Sequence, residues 1–195
     1  MQRIVVLASG SGSNAEAIAT FFADRDDACV VAIVSDRKHA GVHARAERLG
    51  IPSAFVGRRG REAPGGLLAA VREYDPDLIA LAGYLRLVPA DVLAAYPERV
   101  VNIHPALLPE YGGPGMYGGH VHAAVVAAGE RQSGITIHLA NARYDEGRAL
   151  FQATCDLDTG DDAEAVAAKV LALEHRHYPR VLAAYLAQLR RASGA

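Results

Sequence analysis

The chain has few cysteines, little excess charge of either sign and no long apolar run, and each shortage disfavours a class of protein. Cys29 and Cys155 are the only cysteines among 195 residues. They lie far apart and form no metal spacing, so we expect two buried, reduced thiols. Lys and Arg number 20 against 22 Asp and Glu, and no dense basic run favours nucleic acid or an anionic membrane as a partner.

No apolar run approaches the roughly 20 residues needed to span a bilayer. The run at residues 4–8 is also too short for the core of a signal peptide. We therefore expect a cytoplasmic protein. The eight histidines do not favour a metal site either: His120 and His122, like His175 and His177, are two residues apart, and that spacing does not share a helix face. We predict that no metal takes part.

Short apolar runs alternate with longer segments of helical period. Buried parallel strands are predicted at residues 4–9, 29–35, 78–82 and 100–103. Helices are predicted between them, followed by a short helix at 120–128, strands at 134–140 and 149–154, and a long helix at 161–191 that Pro179 kinks or splits. The pattern predicts one α/β domain over residues 1–195, a doubly wound, mostly parallel, Rossmann-like sheet with a late antiparallel strand and a long C-terminal helix.

A turn rich in glycine and hydroxyl groups follows the first predicted strand. Gly10, Gly12, Ser13 and Asn14 stand at the mouth of the first helix, where exposed N–H groups and the helix dipole favour an anion. The glycine spacing matches neither a Walker loop nor a full dinucleotide fingerprint. We therefore interpret the turn as a site for a phosphate monoester, with an ordinary capped turn as the alternative.

Asn102 and His104 end the fourth predicted strand, two residues apart and on the same face. An amide donor beside an imidazole suits a reaction that develops negative charge on oxygen while a proton moves. Asp145 lies in a turn-rich segment. If that segment folds back over the strand end, its carboxylate would raise the pKa of His104 and keep the ring protonated. The alternatives are a strand terminus and an ordinary turn residue.

Residues 101–109, VNIHPALLP, resemble the Asn-x-His-Pro-Ser-Leu-Leu-Pro signature of the folate-dependent formyltransferases, with Ala106 in place of the Ser. The SGSGSN turn at residues 9–14 and Glu174-His175 near the C-terminus extend the resemblance to nearly the whole chain. It implies transfer of a formyl group from 10-formyltetrahydrofolate to the amine of glycinamide ribonucleotide in purine biosynthesis. The implied partners are these two small molecules, and the chain is expected to be a monomer or a homodimer.

The resemblance also implies a role for each matching position. Asn102, His104 and Asp145 would be the catalytic set, with Asn102 as oxyanion donor, His104 as general acid and Asp145 tuning the histidine. Two groups would bind the small molecules: Gly12, Ser13, Asn14 and Glu174 would hold the nucleotide, and Arg61, Leu85, Arg86, Leu87, Val88, Asn102, Asn141, Tyr144 and Asp145 would line the folate pocket. His138 matches a position adjacent to the site, with a core histidine as its alternative.

Two other functions stay open at this point. A formyltetrahydrofolate hydrolase would use the same core with water in place of the amine, although such enzymes carry an added N-terminal domain. A non-catalytic nucleotide-binding module would explain the glycine turn but would leave Asn102, His104 and Asp145 without a role. Methionyl-tRNA formyltransferase is similar, but it has an added nucleic-acid-binding domain and a basic surface.

Overall fold

The computed structural model describes residues 1–63 and 65–193, without the side chains of Arg61, Glu62 and Ser193. Strands and helices alternate along most of the chain. In order, the elements are β1 (Gln2–Ala8), α1 (Ser13–Phe22), β2 (Ala28–Ser35), α2 (Gly41–Arg48), β3 (Ser53–Phe55), α3 (Arg58–Glu62), α4 (Gly66–Arg72), β4 (Leu78–Leu81), α5 (Ala90–Ala95), β5 (Val100–His104), α6 (Gly119–Ala127), β6 (Gln132–Leu139), β7 (Ala149–Asp156) and α7 (Ala163–Ser193).

All the strands of the described chain lie in one sheet, in the order β3-β2-β1-β4-β5-β6-β7. The first five pair in parallel. β6 is antiparallel to both β5 and β7, so β6 alone runs against the other strands. The predicted doubly wound, mostly parallel sheet with a late antiparallel strand is confirmed. The crossovers place the carboxyl ends of β1, β4 and β5 together at one edge, where open α/β sheets bind ligands.

Side chains on alternate positions of β1 enter two different cores. Ile4 and Val6 pack with residues of α1, α6 and α7 on one face of the sheet. Val5 and Leu7 pack with residues of α4 and α5 on the other face. Because both faces are covered, the central strands are continuous apolar runs rather than alternating ones. This is why the sequence pattern located them correctly.

The long C-terminal helix is continuous through Pro179, so it is not split there, and the alternative of a kink stays a prediction. Tyr178 and Leu182, on either side of the proline, are fully buried against the sheet. The Tyr178 hydroxyl also contacts the carbonyl oxygens of Leu81 and Val101 at 3.1 and 2.9 Å. These anchors to β4 and β5 offset the hydrogen bond that the proline cannot donate. Two short elements, β3 and α3, were not predicted.

Two further predictions concern composition. Cys29 and Cys155 are both free thiols, and both are half-buried rather than buried. Within residues 1–63 and 65–193, the structure has no helix long and apolar enough to cross a membrane.

Candidate active site

A cavity of about 530 Å³ opens at the carboxyl edge of the sheet, beside the ends of β4 and β5. Its volume falls within the range of about 300–1,000 Å³ that is usual for small-molecule sites. Eleven of the predicted site residues line it together, namely Asn14, Leu85, Arg86, Leu87, Val88, Asn102, His104, Asn141, Tyr144, Asp145 and Glu174. Gly12 and Ser13 are not part of the described cavity wall, although they lie directly before Asn14. Arg61 is also predicted to line the folate pocket, and its side chain lies outside the described part of the structure.

The turn between β6 and β7 folds back over the end of β5, as the catalytic hypothesis requires. Asp145 stands in this turn, and its Oδ2 lies 3.5 Å from Nδ1 of His104. Gly147 allows the close approach, since a Cβ at this position would lie 1.6 Å from the Leu139 carbonyl oxygen. The structure therefore brings together the three residues predicted to form the catalytic set.

His138 fixes the orientation of the Asn102 amide. The two residues face each other in the β5–β6 ladder. Nδ1 of His138 lies 2.9 Å from the Leu139 carbonyl oxygen, which can only accept, so this nitrogen donates. In the neutral ring its Nε2 is then an acceptor, and it receives a hydrogen bond of 3.0 Å from Nδ2 of Asn102; the same nitrogen lies 3.6 Å from Oδ1 of Asp145, to which the protonated ring could donate. The second N–H of Asn102 makes a long contact of 3.4 Å with Oδ1 of Asp145.

His104 lies between two acceptors. Its Nε2 donates to the carbonyl oxygen of Tyr111 at 2.8 Å, and its Nδ1 faces Asp145. Burial lowers the pKa of His104 below its ordinary value, and the opposing effects of Asp145 and the Tyr111 carbonyl do not make up the difference. The prediction that Asp145 raises this pKa is right for its own contribution. It is wrong for the net result, because desolvation of a nearly fully buried ring outweighs the carboxylate.

Asp145 is the charged member of the set. Burial raises the pKa of its carboxyl group, but its contacts with His138, with His104 and with the N–H of Gly113 bring the pKa below the ordinary value. The Gly113 N–H donates to Oδ2 at 3.0 Å. Because burial lowers its pKa, His104 is mainly neutral near neutral pH, and the Asp145 carboxylate offsets only part of the penalty on the protonated ring.

The glycine turn after β1 leads directly into helix α1. Gly12 has a φ of 83°, and a Cβ there would lie 2.4 Å from Cγ2 of Val42, so a side chain is excluded. Helix α1 begins at the next residue, and no described side chain caps its first turn. Its first N–H groups thus keep their capacity to bind an anion at the positive end of the helix dipole.

Asn14 and Glu174 form a buried pair at the same end of the cavity. Nδ2 of Asn14 donates to Oε2 of Glu174 at 2.6 Å, while Oδ1 of Asn14 is buried and has no partner among the described residues. Burial raises the pKa of Glu174 to about 7, and the hydrogen bond from Asn14 offsets only part of the effect. The unpartnered oxygen and the titrating carboxyl group fit a polar ligand that can donate hydrogen bonds.

The segment after β4 forms another part of the cavity wall. Leu85 donates its N–H to Oγ of Ser9 at 3.0 Å, which ties the segment to the end of β1. Nε of Arg86 donates to Oδ2 of the buried Asp36 at 3.0 Å. This places a half-exposed guanidinium in the cavity wall with N–H groups still directed outward. Exposed Leu87 and Tyr144 give the same region an apolar surface.

Several site residues were not identified from the sequence. The carbonyl of Tyr111 and the N–H of Gly113 contact His104 and Asp145 through the backbone, so residue type gives no signal of these roles. His122 is buried in the cavity wall, and burial, with a smaller effect of His104, lowers its pKa. In the sequence, its two-residue spacing from His120 was considered only as a metal site, and that spacing does not predict a place in this cavity.

No group of three or more His, Cys, Asp and Glu side chains in the described chain is arranged to hold a metal ion. His39 and His43 have the four-residue spacing that helical metal sites use. However, both ring nitrogens of His43 contact protein oxygens, those of Ser53 and Arg37, at 3.1 Å each.

The sequence and the fold are both similar to those of known proteins. The formyl transferase family matches residues 2–182. The chain is 35% identical to phosphoribosylglycinamide formyltransferase of Bacillus subtilis, over 93% of each chain. It is 40% identical to the chloroplastic enzyme of that name from Arabidopsis thaliana over 94% of this chain, but it spans only 65% of that relative's length. The crystal structure of glycinamide ribonucleotide transformylase 1 from Symbiobacterium toebii superposes with a TM-score of 0.89 at 34% identity, covering 96% of this chain and 89% of that one.

Proposed function

Because the chain belongs to the formyl transferase family, we propose that it transfers the formyl group of 10-formyltetrahydrofolate to the amine of glycinamide ribonucleotide, a step of purine biosynthesis. One observation supports this most strongly. Asn102, His104 and Asp145 line a single cavity together with Asn14, at the start of α1, and with the exposed apolar side chains of Leu87 and Tyr144. Two different small molecules could therefore meet at the three polar side chains.

The reaction needs one proton to move. The amine attacks the formyl carbon and loses a proton, and the departing folate nitrogen gains one. His104 is neutral in the free protein near neutral pH, so we assign it as the carrier that accepts the proton and then returns it. Asp145 stabilises the imidazolium in between. This differs from a histidine protonated from the outset, and it follows from the direction of the His104 pKa.

Asn102 would stabilise the negative charge that develops on the formyl oxygen. Its N–H toward Asp145 makes the longer contact, 3.4 Å against 3.0 Å, so it is the one that can turn to a substrate oxygen at the smaller cost. His138 holds the amide in the required orientation. A single donor of this kind contributes about 3–4 kcal/mol to transition-state stabilisation.

Each substrate would bind to a different set of residues in the cavity. Ser13 and Asn14 with Gly12 would hold the nucleotide phosphate at the start of α1, and Glu174 would accept hydrogen bonds from another part of that molecule. The unpartnered Oδ1 of Asn14 supports this assignment. The folate would lie against Leu85, Arg86, Leu87 and Val88 and the turn that contains Asn141, Tyr144 and Asp145, with Arg61 as a further contact.

Tetrahydrofolate release, measured with and without glycinamide ribonucleotide, tests the proposal. Release that depends on the nucleotide supports the transferase. Release without it indicates a hydrolase, and no release indicates a binding module. His104→Ala should lower kcat by about 100-fold or more while the circular dichroism spectrum is unchanged. His39→Ala, at a histidine outside the cavity, is the matched control.

We further propose that residues 1–195 form a single domain and that the protein acts in the cytoplasm without a metal. We also propose that it is a monomer or a homodimer whose partners are the two small molecules. Size-exclusion chromatography with light scattering distinguishes the two oligomeric states.

A further inference from the structure

The segment after β5 contacts the catalytic set at two points through its backbone. The carbonyl of Tyr111 accepts a hydrogen bond from Nε2 of His104 at 2.8 Å, and the N–H of Gly113 donates to Asp145 at 3.0 Å. The ionisable groups of His104 and Asp145 are thus both held by one short stretch of main chain. The position of this stretch decides which protons the two side chains can carry.

Tyr111 has an unusual backbone for its residue type. Its φ is 54°, in the left-handed region that few residues other than glycine adopt, and Asp145 has a φ of 57°. Such a conformation persists only when surrounding contacts maintain it. The Tyr111 side chain supplies those contacts. Its ring packs against the core that contains Ile4 and Val6, and its hydroxyl donates to Oε1 of Glu130 at 2.7 Å.

The tie to Glu130 spans two parts of the fold. Glu130 lies between the end of α6 and the start of β6, so the bond joins the segment after β5 to the connection between these two elements. The carboxylate also raises the pKa of the Tyr111 hydroxyl to about 12. The hydroxyl therefore remains a donor throughout the physiological range.

From this geometry we propose that Tyr111 is a positioning residue for His104: its side chain, fixed on Glu130, holds the backbone carbonyl that keeps the His104 proton on Nε2. Nδ1 is thereby left as the atom that gains and loses a proton beside Asp145. The proposal concerns the catalytic residue named under the proposed function and rests on it for the kinetic part of the test. Its structural part does not depend on activity.

Tyr111→Phe and Glu130→Ala remove the two sides of the contact. Each should lower kcat by about tenfold, because a hydrogen bond to a charged group is lost and the carbonyl is no longer held. The KM for either substrate should change less than about twofold, because neither side chain binds substrate in this scheme. The double variant should be no worse than the single ones, since both remove one interaction. Tyr96→Phe and Glu110→Ala are the matched controls.

Nitrogen NMR of the histidine-labelled protein tests the same point without substrates, with the His104 signal assigned from its loss in His104→Ala. In the wild type the neutral ring should be the Nε2–H tautomer. Tyr111→Phe should lower the pKa of His104 and mix the tautomers, whereas the controls should not. Glu130→Met, which keeps the length of the side chain but has no oxygen to accept the Tyr111 hydroxyl, replaces Glu130→Ala if that variant does not fold.

Three results would overturn the proposal. They are an unchanged His104 titration in Tyr111→Phe, losses that multiply in the double variant, and an increase in kcat, which would mean that the carbonyl obstructs His104. If the chain shows no formyl transfer at all but the NMR shifts occur, the positioning role stands and the proposed function fails.

Discussion

Glu174 offers a direct test of the electrostatics of the cavity, through the free energy of unfolding rather than through activity. Its pKa rises from an ordinary 4.5 to about 7 in the folded protein because the carboxyl group is buried. The change corresponds to about 3 kcal/mol of differential stability between the protonated and ionised forms. Below about pH 4.5 the group is protonated in both folded and unfolded states and costs nothing. The folded protein loses this stability progressively as the pH rises from about 4.5 to about 7, and above that range the ionised form destabilises it by the full amount.

Glu174→Gln keeps the shape of the side chain and removes its titration. The variant should match the wild type near pH 4.5 and exceed it by about 3 kcal/mol above pH 8. Urea unfolding followed by circular dichroism at the two pH values measures this difference. Glu47→Gln, at an exposed site on α2, is the control and should shift stability by no more than about 0.5 kcal/mol at either pH. A Glu174→Gln variant that gains nothing at high pH, or gains equally at both, would refute the reasoning.

Two other substitutions probe the ends of the catalytic arrangement. Gly12→Ala should destabilise the protein by about 1–3 kcal/mol and raise the KM for the nucleotide, since a Cβ would lie 2.9 Å from the Val42 backbone at a positive φ; Gly10→Ala, which meets nothing within 4 Å, should be tolerated, and equal urea midpoints for the two variants would contradict the steric argument. Asp145→Asn should lower the pKa of His104 further, because the carboxylate raises it; an NMR titration that moves the other way would show that Asp145 does not act on the ring by its charge.

The sequence predicted the fold well where burial is complete. Strands such as β1 and β4 lie between two layers of helices, so they appear as uninterrupted apolar runs with a clear period. β3 and α3 were missed because three partly exposed residues and a five-residue helix leave no periodic signal. The split predicted at Pro179 does not occur, because tertiary contacts outweigh local propensity at this position. Local propensity predicts an interrupted helix, but the anchors of Tyr178 in the sheet could only be seen in the fold.

For the site, residue type was informative and environment was not. Asn102 and His104 were proposed because two polar residues end an apolar strand, and Asp145 because it lies in a turn-rich segment that could fold back over that strand end. The direction in which the pKa of His104 shifts could not be predicted from the sequence, since it depends on how far the effect of burial exceeds that of one carboxylate. Nor could the carbonyl of Tyr111, because every residue has one and only its left-handed backbone directs it to the ring.

Counting donors and acceptors around His104 supports the proposal that its Nδ1 is the atom that carries the proton. His138 must receive the first N–H of Asn102, and Asp145 receives the second. Tyr111 takes the proton on Nε2 of His104. The Asn102 amide does not ionise, and loss of the Nε2 proton would leave the Tyr111 carbonyl without its hydrogen bond, at a cost of about 1–3 kcal/mol. Nδ1 differs, because a proton there is drawn to Asp145 and its loss breaks no other hydrogen bond. A carrier that must bind and release a proton in each cycle requires that balance.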